Sequence, residues 1–457
     1  MVLRQDTELD NANTSDRDRN SFTRVGTPSE DVYTLSNLFL SYDFGGATLL
    51  SSTGYLDRDS AFSADLSSLF VPILPFFGIP DGSITDIGFL TQNFVETRTQ
   101  ELRLASNGDS ALRWTIGAYY RDSETRVFSP PASTAPDPAP FSLLDQDITD
   151  ESESWAAFGE ASYALTTSLE VTLGLRYYND DRDQAGVSTQ FGGTSVDINS
   201  ASFDSTSPRV SLLYKLTDRS SVYVNAARGF RSGGFNQQSA GLGEPVPPTY
   251  DPESLWTYEI GATLQSDDRR GLLQAAVYYN DWKDIQTFAF LPNSAVTITA
   301  NGGKASGFGV DFEGSYTFTD AFDLSATVGW NDMEYDSETP DHFKGDPLDY
   351  VSPLTASATA NYRFNWSTNT PGSFRVEYQH ADAFDINIRN FFATTVSSED
   401  TDTVRARLAA RFSSVEVALF ADNLTGEDNE VMPAFGALSE PIRVPPRTIG
   451  ITLDWQF

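Results

Sequence analysis

The sequence contains no cysteine and only two histidines, His342 and His380. Without thiolates, neither a disulfide framework nor a cysteine metal site can form. Two histidines leave out most zinc centres and histidine-based catalytic arrangements. No apolar run reaches the ~18 residues that a membrane-crossing helix needs. The opening stretch MVLRQDTELDNANTSD has no apolar core of the kind a secretory leader carries. Cationic charge is scarce too, with 30 Lys and Arg against 64 Asp and Glu and a net charge of −34. That balance excludes nucleic acid as a partner through its phosphate backbone. No Walker loop, nucleophile elbow or HExxH pattern occurs, so the sequence predicts no enzyme, no metal site and no bound cofactor.

What is present is aromatic and alternating. The chain holds 32 Phe, 19 Tyr and 7 Trp in 457 residues, a composition that favours strands. Residues 207–236, SPRVSLLYKLTDRSSVYVNAARGFRSGGFN, read as strand, turn, strand and glycine-rich exit. Val210, Leu212, Tyr214 and Leu216 alternate with Arg209, Ser211 and Lys215. Val222, Val224 and Ala226 alternate with Tyr223, Asn225 and Ala227. A period of two puts one apolar and one polar face on the same ribbon. Thr217-Asp218-Arg219-Ser220 is the short polar connection such a hairpin needs.

Along the chain, residues 1–34 are polar and without pattern. Asp16, Asp18 and Asn20 resemble the start of a calcium loop, but Ser21 stands where Gly is required and Thr27 where Glu is, so a solvated loop is predicted. Hairpins then follow, and the count comes to about seventeen strands. Short turns alternate with long Pro-, Gly-, Asp- and Ser-rich connections, over 59–92, 128–152, 184–206, 229–253, 288–306, 335–351, 385–401 and 423–445. The hairpin text echoes itself, with YALTTSLEVTLGLRY, YKLTDRSSVYVNAARGF and YTFTDAFDLSATVGW starting at Tyr163, Tyr214 and Tyr316. A propeller also repeats at such spacings, but each blade needs four strands where one hairpin and one loop fill the period here.

Two or three domains would suit this length, but a large closed β-structure breaks that prior. One face carries Leu169, Val171, Leu173, Leu175 and Tyr177, and in the final strand Ile449, Ile451, Leu453 and Trp455. The other carries Glu259, Asp311, Glu313, Arg405, Arg407 and Arg411. A soluble sandwich shows the same alternation. Strands of about 10–15 residues exceed the soluble norm. Tyr163, Tyr214, Phe318, Phe364, Trp366, Phe412 and Trp455 gather near the short turns, and Tyr178, Tyr279, Trp282, Trp330 and Tyr335 near the long loops. Two aromatic belts, with short turns on one side and long loops on the other, predict an all-β transmembrane antiparallel barrel.

Several stretches carry a resemblance. QELRLAS (100–106), TLGLRYY (172–178), residues 207–236, PESLWTYEIGATLQS (252–266) and AAVYYNDWKDIQ (275–286) are five of them. NGGKASGFGVDFEGSYTFT (301–319), FADNLTGED (420–428) and PPRTIGITLDWQF (445–457) complete the set. In this order they resemble the barrel strands of TonB-dependent outer-membrane receptors, and Phe457 resembles the terminal aromatic that barrel-assembly machinery favours. The resemblance implies a barrel in the bacterial outer membrane, in contact with its lipid and lipopolysaccharide. It also implies TonB-dependent uptake of a bulky ligand, a ferric siderophore first, or a B12-like cofactor or oligosaccharide. Such barrels have 22 strands around a plug domain, so about five strands, the plug, its TonB-engaging segment and the leader are expected to be missing from an N-terminally truncated product. Residues 1–34 would then be the tail of an extracellular loop, and 35–457 the partial barrel. Arg405, Arg407, Arg411, Glu313 and Glu259 become plug-facing lumen candidates, while Arg231 and Asn236 are candidates for small-molecule or metal-chelate contact at the lumen mouth. Gly233 and Gly234 more simply let the chain leave its strand. Much of the acidic charge falls in the long loops, for example Asp332, Glu334, Asp336, Glu338 and Asp341, where it could recruit divalent cations bridging to lipopolysaccharide. Two other readings stay open: a passive porin-like channel, and a soluble exported β-protein or adhesin.

Overall fold

A computed structural model describes residues 2–9, 23–77, 79–108, 110–136, 144–190, 193–237, 246–290, 297–339, 342–387, 394–434 and 441–455. Phe457, Asp341 and the aspartates of the calcium-like stretch lie outside the described residues. The alternating segments form strands, and each short polar connection closes a hairpin. At the turn after Ser29–Asp43, Phe44 N–H donates to the Ala47 carbonyl at 2.9 Å and Gly45 takes φ +87°, a conformation open to glycine. Strand follows strand antiparallel through Ala47–Asp65, Asp86–Ser106, Leu112–Ser129, Leu144–Ala164 and onward to Thr448–Trp455. The result is one 19-stranded sheet, an up-and-down meander in which only Ser133–Ala135 is a short side strand, on Asp86–Gly88.

All the predicted strands form. One more, Val2–Leu9, pairs with Ser29–Ser36 inside the stretch expected to be a patternless tail. Its eight residues are all exposed, so no buried face imposes a hydrophobic period and backbone pairing alone organises it. Among the described residues, Val2–Leu9 and Thr448–Trp455 each have a strand partner on one side. A second difference lies in 184–206, expected as a long loop. Leu169–Gln190 and Gly193–Lys215 instead stay paired from Leu169↔Tyr214 to Gln190↔Gly193. Beyond Asn179 apolar residues become sparse on this hairpin, with Val187, Val196, Ile198 and Phe203 scattered among polar ones, so the two-residue contrast that marks a strand fades while the ladder continues.

The register joins the apolar face from strand to strand. Val171, Leu212, Val224, Ile260, Val277, Val310, Trp330 and Leu354 stand directly opposite one another in a row across eight strands. These side chains are not a core: Ile260 is 58% exposed and Ile451 68%. An apolar surface of that extent is far beyond what a water-soluble monomer presents. The aromatic belt at the loop end is corrected in part. Tyr279 packs on Phe308 at 4.9 Å on this face, whereas Tyr178, Trp282 and Tyr335 have the opposite parity. Tyr335 is 4% exposed and belongs to a loop core with Ile285, Ala305, Met333 and Leu348.

On the polar face, aromatic rings lie over glycines of the adjacent strand. Phe158 covers Gly117, Tyr223 covers Gly261, Tyr278 covers Gly309 and Phe420 covers Gly450, each pair directly opposed in register. A Cβ at any of these glycines would collide with the ring. Glycine paired with a covering aromatic lets a sheet coil while keeping its face packed.

Candidate functional site

Charge on the polar face is paired over most strands, as in Arg209 with Glu160 at 3.2 Å, and unpaired in one patch. Glu259, Asp311 and Glu313 face a concavity of about 620 Å³, with Tyr223, Thr327 and Thr355 along its border. Tyr223 hydrogen-bonds Glu259 through its hydroxyl. Among the described residues, none of these three carboxylates has a Lys, Arg or His partner in an ion pair. Arg375, Arg405, Arg407 and Arg411 lie away from this patch, each beside a carboxylate. Arg407 and Arg411 share Glu416 at 2.7 and 2.9 Å, Arg405 lies 3.6 Å from Asp422, and Arg375 meets Glu377 at 3.0 Å. Arg375 and Arg407 face each other in register, which like charges tolerate here because each has its own carboxylate.

At the loop end, the glycine-rich exit is tightly built. Arg231 donates to Glu253 at 3.0 Å and to the Gln286 carbonyl at 3.2 Å. Glu253 is 6% exposed, and its carboxylate also takes the Gln286 amide at 2.6 Å. The Arg231 side chain itself stays 57% exposed. Asn236 is 5% exposed, and its side-chain amide donates to the carbonyls of Pro247 and Thr299 and accepts from Thr299 N–H. It clasps the 232–252 connection to the 284–303 connection. Gly233 and Gly234 are required by close approach: a Cβ on the first would strike Phe203, and on the second Tyr250.

The residues that receive this loop are not among those singled out in the sequence. Asp180, 2% exposed, accepts from Ser152 Oγ at 2.6 Å and Ser232 Oγ at 2.9 Å, with Arg121 at 3.7 Å. Arg182 pairs with Asp150 at 2.5 Å, donates to the Gly233 carbonyl at 2.8 Å and lies 5.9 Å from the centre of the Phe235 ring. The available signal was parity, since Asp180 and Arg182 continue the Glu170–Arg176 face within the expected strand.

Other loops are clasped in the same way. His342, 3% exposed, bonds Thr339 at 3.1 Å and Asp349 at 2.9 Å and stacks on Tyr335, while Asp349 takes the Asn387 amide at 3.0 Å. Asn429 donates to the Asp400 carbonyl at 2.7 Å. Asp65 gathers the Arg24, Val25 and Ser67 amides and the Ser67 hydroxyl. Burial pushes its carboxyl up, but these bonds outweigh burial and hold it below the ordinary value of 3.8. Among the described residues, one trio of carboxylates, Asp6, Glu8 and Glu30, lies within 4.8 Å and is fully open to solvent.

Residues 2–424 match the family model for the TonB dependent receptor-like β-barrel. The pesticin receptor of Yersinia enterocolitica is 26% identical over 266 residues, which are 57% of this chain and 37% of that protein. The pesticin receptor of Yersinia pestis matches to the same extent. The chain therefore spans well under half the length of the curated relatives it matches. Among solved structures, the ferric yersiniabactin uptake receptor FyuA of Yersinia pestis aligns with a TM-score of 0.82 at 17% identity, over 100% of this chain and 67% of that one. The siderophore receptor PiuA of Acinetobacter baumannii aligns with a TM-score of 0.75 at 16% identity, over 99% and 70%. Members of this family are outer-membrane β-barrel proteins. With the match covering all of the described wall except its final strand, the chain belongs to the TonB-dependent receptor family, in its β-barrel.

Proposed function

We propose that this chain forms the wall of an outer-membrane receptor for TonB-driven uptake of a bulky, scarce ligand, a ferric siderophore before a B12-like cofactor or an oligosaccharide. The observation that carries it is the division of one family-matched sheet into a continuous apolar face and a charged face. Lipid takes the first, while the inner strands satisfy their backbone groups through the ladder. The names of FyuA, a ferric yersiniabactin uptake receptor, and PiuA, a siderophore receptor, point towards iron-chelate ligands.

Within this function the unpaired arc of Glu259, Asp311 and Glu313 would meet cationic side chains of a lumen-filling plug, and the TonB system would couple through a segment outside this wall. Arg405, Arg407 and Arg411 contribute less to docking, because Glu416 and Asp422 already neutralise them. Ligand contact at the mouth falls to Arg231, whose guanidinium is exposed yet oriented by Glu253; Asn236 shapes the loop that carries it. On the outer face above the membrane zone, Asp122, Glu124, Asp147, Glu151 and Glu153 share the parity of the apolar side chains. They would meet lipopolysaccharide phosphates through divalent cations.

The test is uptake of labelled ferric siderophores by iron-starved cells that lack their own siderophore receptors, with and without TonB. Accumulation that needs both this chain and TonB supports the proposal, and no accumulation of any ferric siderophore counts against it. The second reading, a passive channel, is favoured by the unpaired acidic arc, which suits a water-filled lumen. Accumulation undiminished without TonB would select it.

A further inference from the structure

On the apolar face, at the short-turn end, the sheet carries a groove of about 540 Å³ between Leu264, Leu273, Phe312 and Tyr316. Its floor is made by small residues: Gly314 stands opposite Leu273 on one side and opposite Ala326 on the other. Almost nothing polar lines it, and it is continuous with the face that lipid covers.

The headgroup end of the groove is the turn Ser266–Arg270. The eight short connections of the wall are 44–46, 107–111, 165–168, 216–220, 266–270, 320–321, 368–369 and 413–414. Lys or Arg occurs in two of them, as Arg219, Arg269 and Arg270. These two turns are neighbours, tied by Arg219 Nη1 donating to the Asp267 carbonyl at 2.8 Å. Ser266 Oγ accepts the Gly271 amide at 2.8 Å and donates to Asp268 at 2.6 Å, which holds the turn in shape. Asp267, Asp268, Arg269 and Arg270 all project into solvent. Arg270 lies 3.7 Å from Asp320, whose side chain is fully exposed at the next turn.

We propose that this groove binds one acyl chain of a phosphatidylethanolamine from the periplasmic leaflet, a site that rests on the membrane placement proposed above. Guanidinium groups match phosphate, and the carboxylates beside them match a primary ammonium, which donates hydrogen bonds. Phosphatidylglycerol offers no cation to Asp267 or Asp320. The quaternary ammonium of phosphatidylcholine has no N–H to donate.

The test places the full chain in phosphatidylcholine bilayers doped equally with phosphatidylethanolamine and phosphatidylglycerol, extracts it in mild detergent and weighs retained lipid by native mass spectrometry. One phosphatidylethanolamine is expected, in about tenfold preference over the other two lipids. Ala326→Leu, which fills the groove, and the double variant Arg269→Gln/Arg270→Gln, which leaves the groove intact, are each expected to lower that retention by about tenfold. Equal retention of all three lipids, or retention unchanged in both variants, overturns the site. A chain that is recovered outside the bilayer overturns the membrane placement itself, and with it the site.

Discussion

Asn236 and Thr299, 63 residues apart, exchange a reciprocal pair of hydrogen bonds: Asn236 Nδ2 donates to the Thr299 carbonyl and Thr299 N–H donates to Asn236 Oδ1, both at 2.8 Å. The side-chain amide imitates a neighbouring strand, so two long connections are tied together by a pairing of the kind backbone makes. Asn236→Ala takes this partner from three backbone groups, the Pro247 and Thr299 carbonyls and Thr299 N–H, at a local cost of about 1–3 kcal/mol. Faster hydrogen exchange at the Thr299 amide is the expected signal. Asn236→Asp should keep much of that protection, since a carboxylate still accepts from Thr299 N–H, while the bonds donated to the Pro247 and Thr299 carbonyls are lost. Loss of ligand with Thr299 protection unchanged would point to direct ligand contact instead.

Asp65 makes one loop anchor dependent on pH. Its native carboxyl lies below its unfolded value, so the anchor contributes stability above the ordinary carboxylate range. That contribution is lost as pH falls from about 3.8 through the lowered native value. Exchange at the Ile87 amide, which donates to Ser67 Oγ at 2.9 Å, reports the release. Asp65→Asn should be weakly anchored at neutral pH and insensitive to acid. An acid response that persists in this variant would assign the effect to another group.

The unpaired acidic arc gives an electrical prediction. If ions pass through the lumen, Glu259→Gln with Glu313→Gln removes two of the three charges that border the concavity. Cation selectivity, read as the reversal potential across a salt gradient, should fall. Arg407→Gln should change it less, because Glu416 compensates that charge locally. Equal effects from both sites would mean that the difference in pairing is without consequence.

The ring-over-glycine pairs can be tested by a double-mutant cycle. Gly261→Ala drives a methyl group into the Tyr223 ring, and overpacking of this kind costs about 1–3 kcal/mol. Tyr223→Ala should relieve most of that penalty, giving a favourable coupling. Heat-dependent gel migration of the folded barrel is the readout. Additive losses would show that the ring does not cover Gly261 in the membrane.

Much of this molecule was legible in residue order. The alternation of Val210, Leu212 and Tyr214 with Arg209 and Ser211 announces a two-faced strand, because successive side chains point to opposite sides. Thr217-Asp218-Arg219-Ser220 announces its turn. Legibility failed where the contrast between faces vanished. Val2–Leu9 and the outer half of the 169–215 hairpin carry only scattered apolar residues, so strand and loop carry the same composition there. Among the site candidates, exposure separated Arg231 from Asn236, and no local pattern encodes exposure.

The order of side chains by itself determined the two-faced strands, the short turns and the family, since these depend on neighbours a few residues apart. Tertiary structure alone decided which charges are neutralised and which glycines are covered. Arg407 meets Glu416, and Tyr223 lies over Gly261, only through the register between adjacent strands. Tertiary structure also decided that Asp180 and Ser232, 52 residues apart, would meet. Contacts of that separation depend on how the strands are laid side by side, and a sequence period describes only one strand at a time.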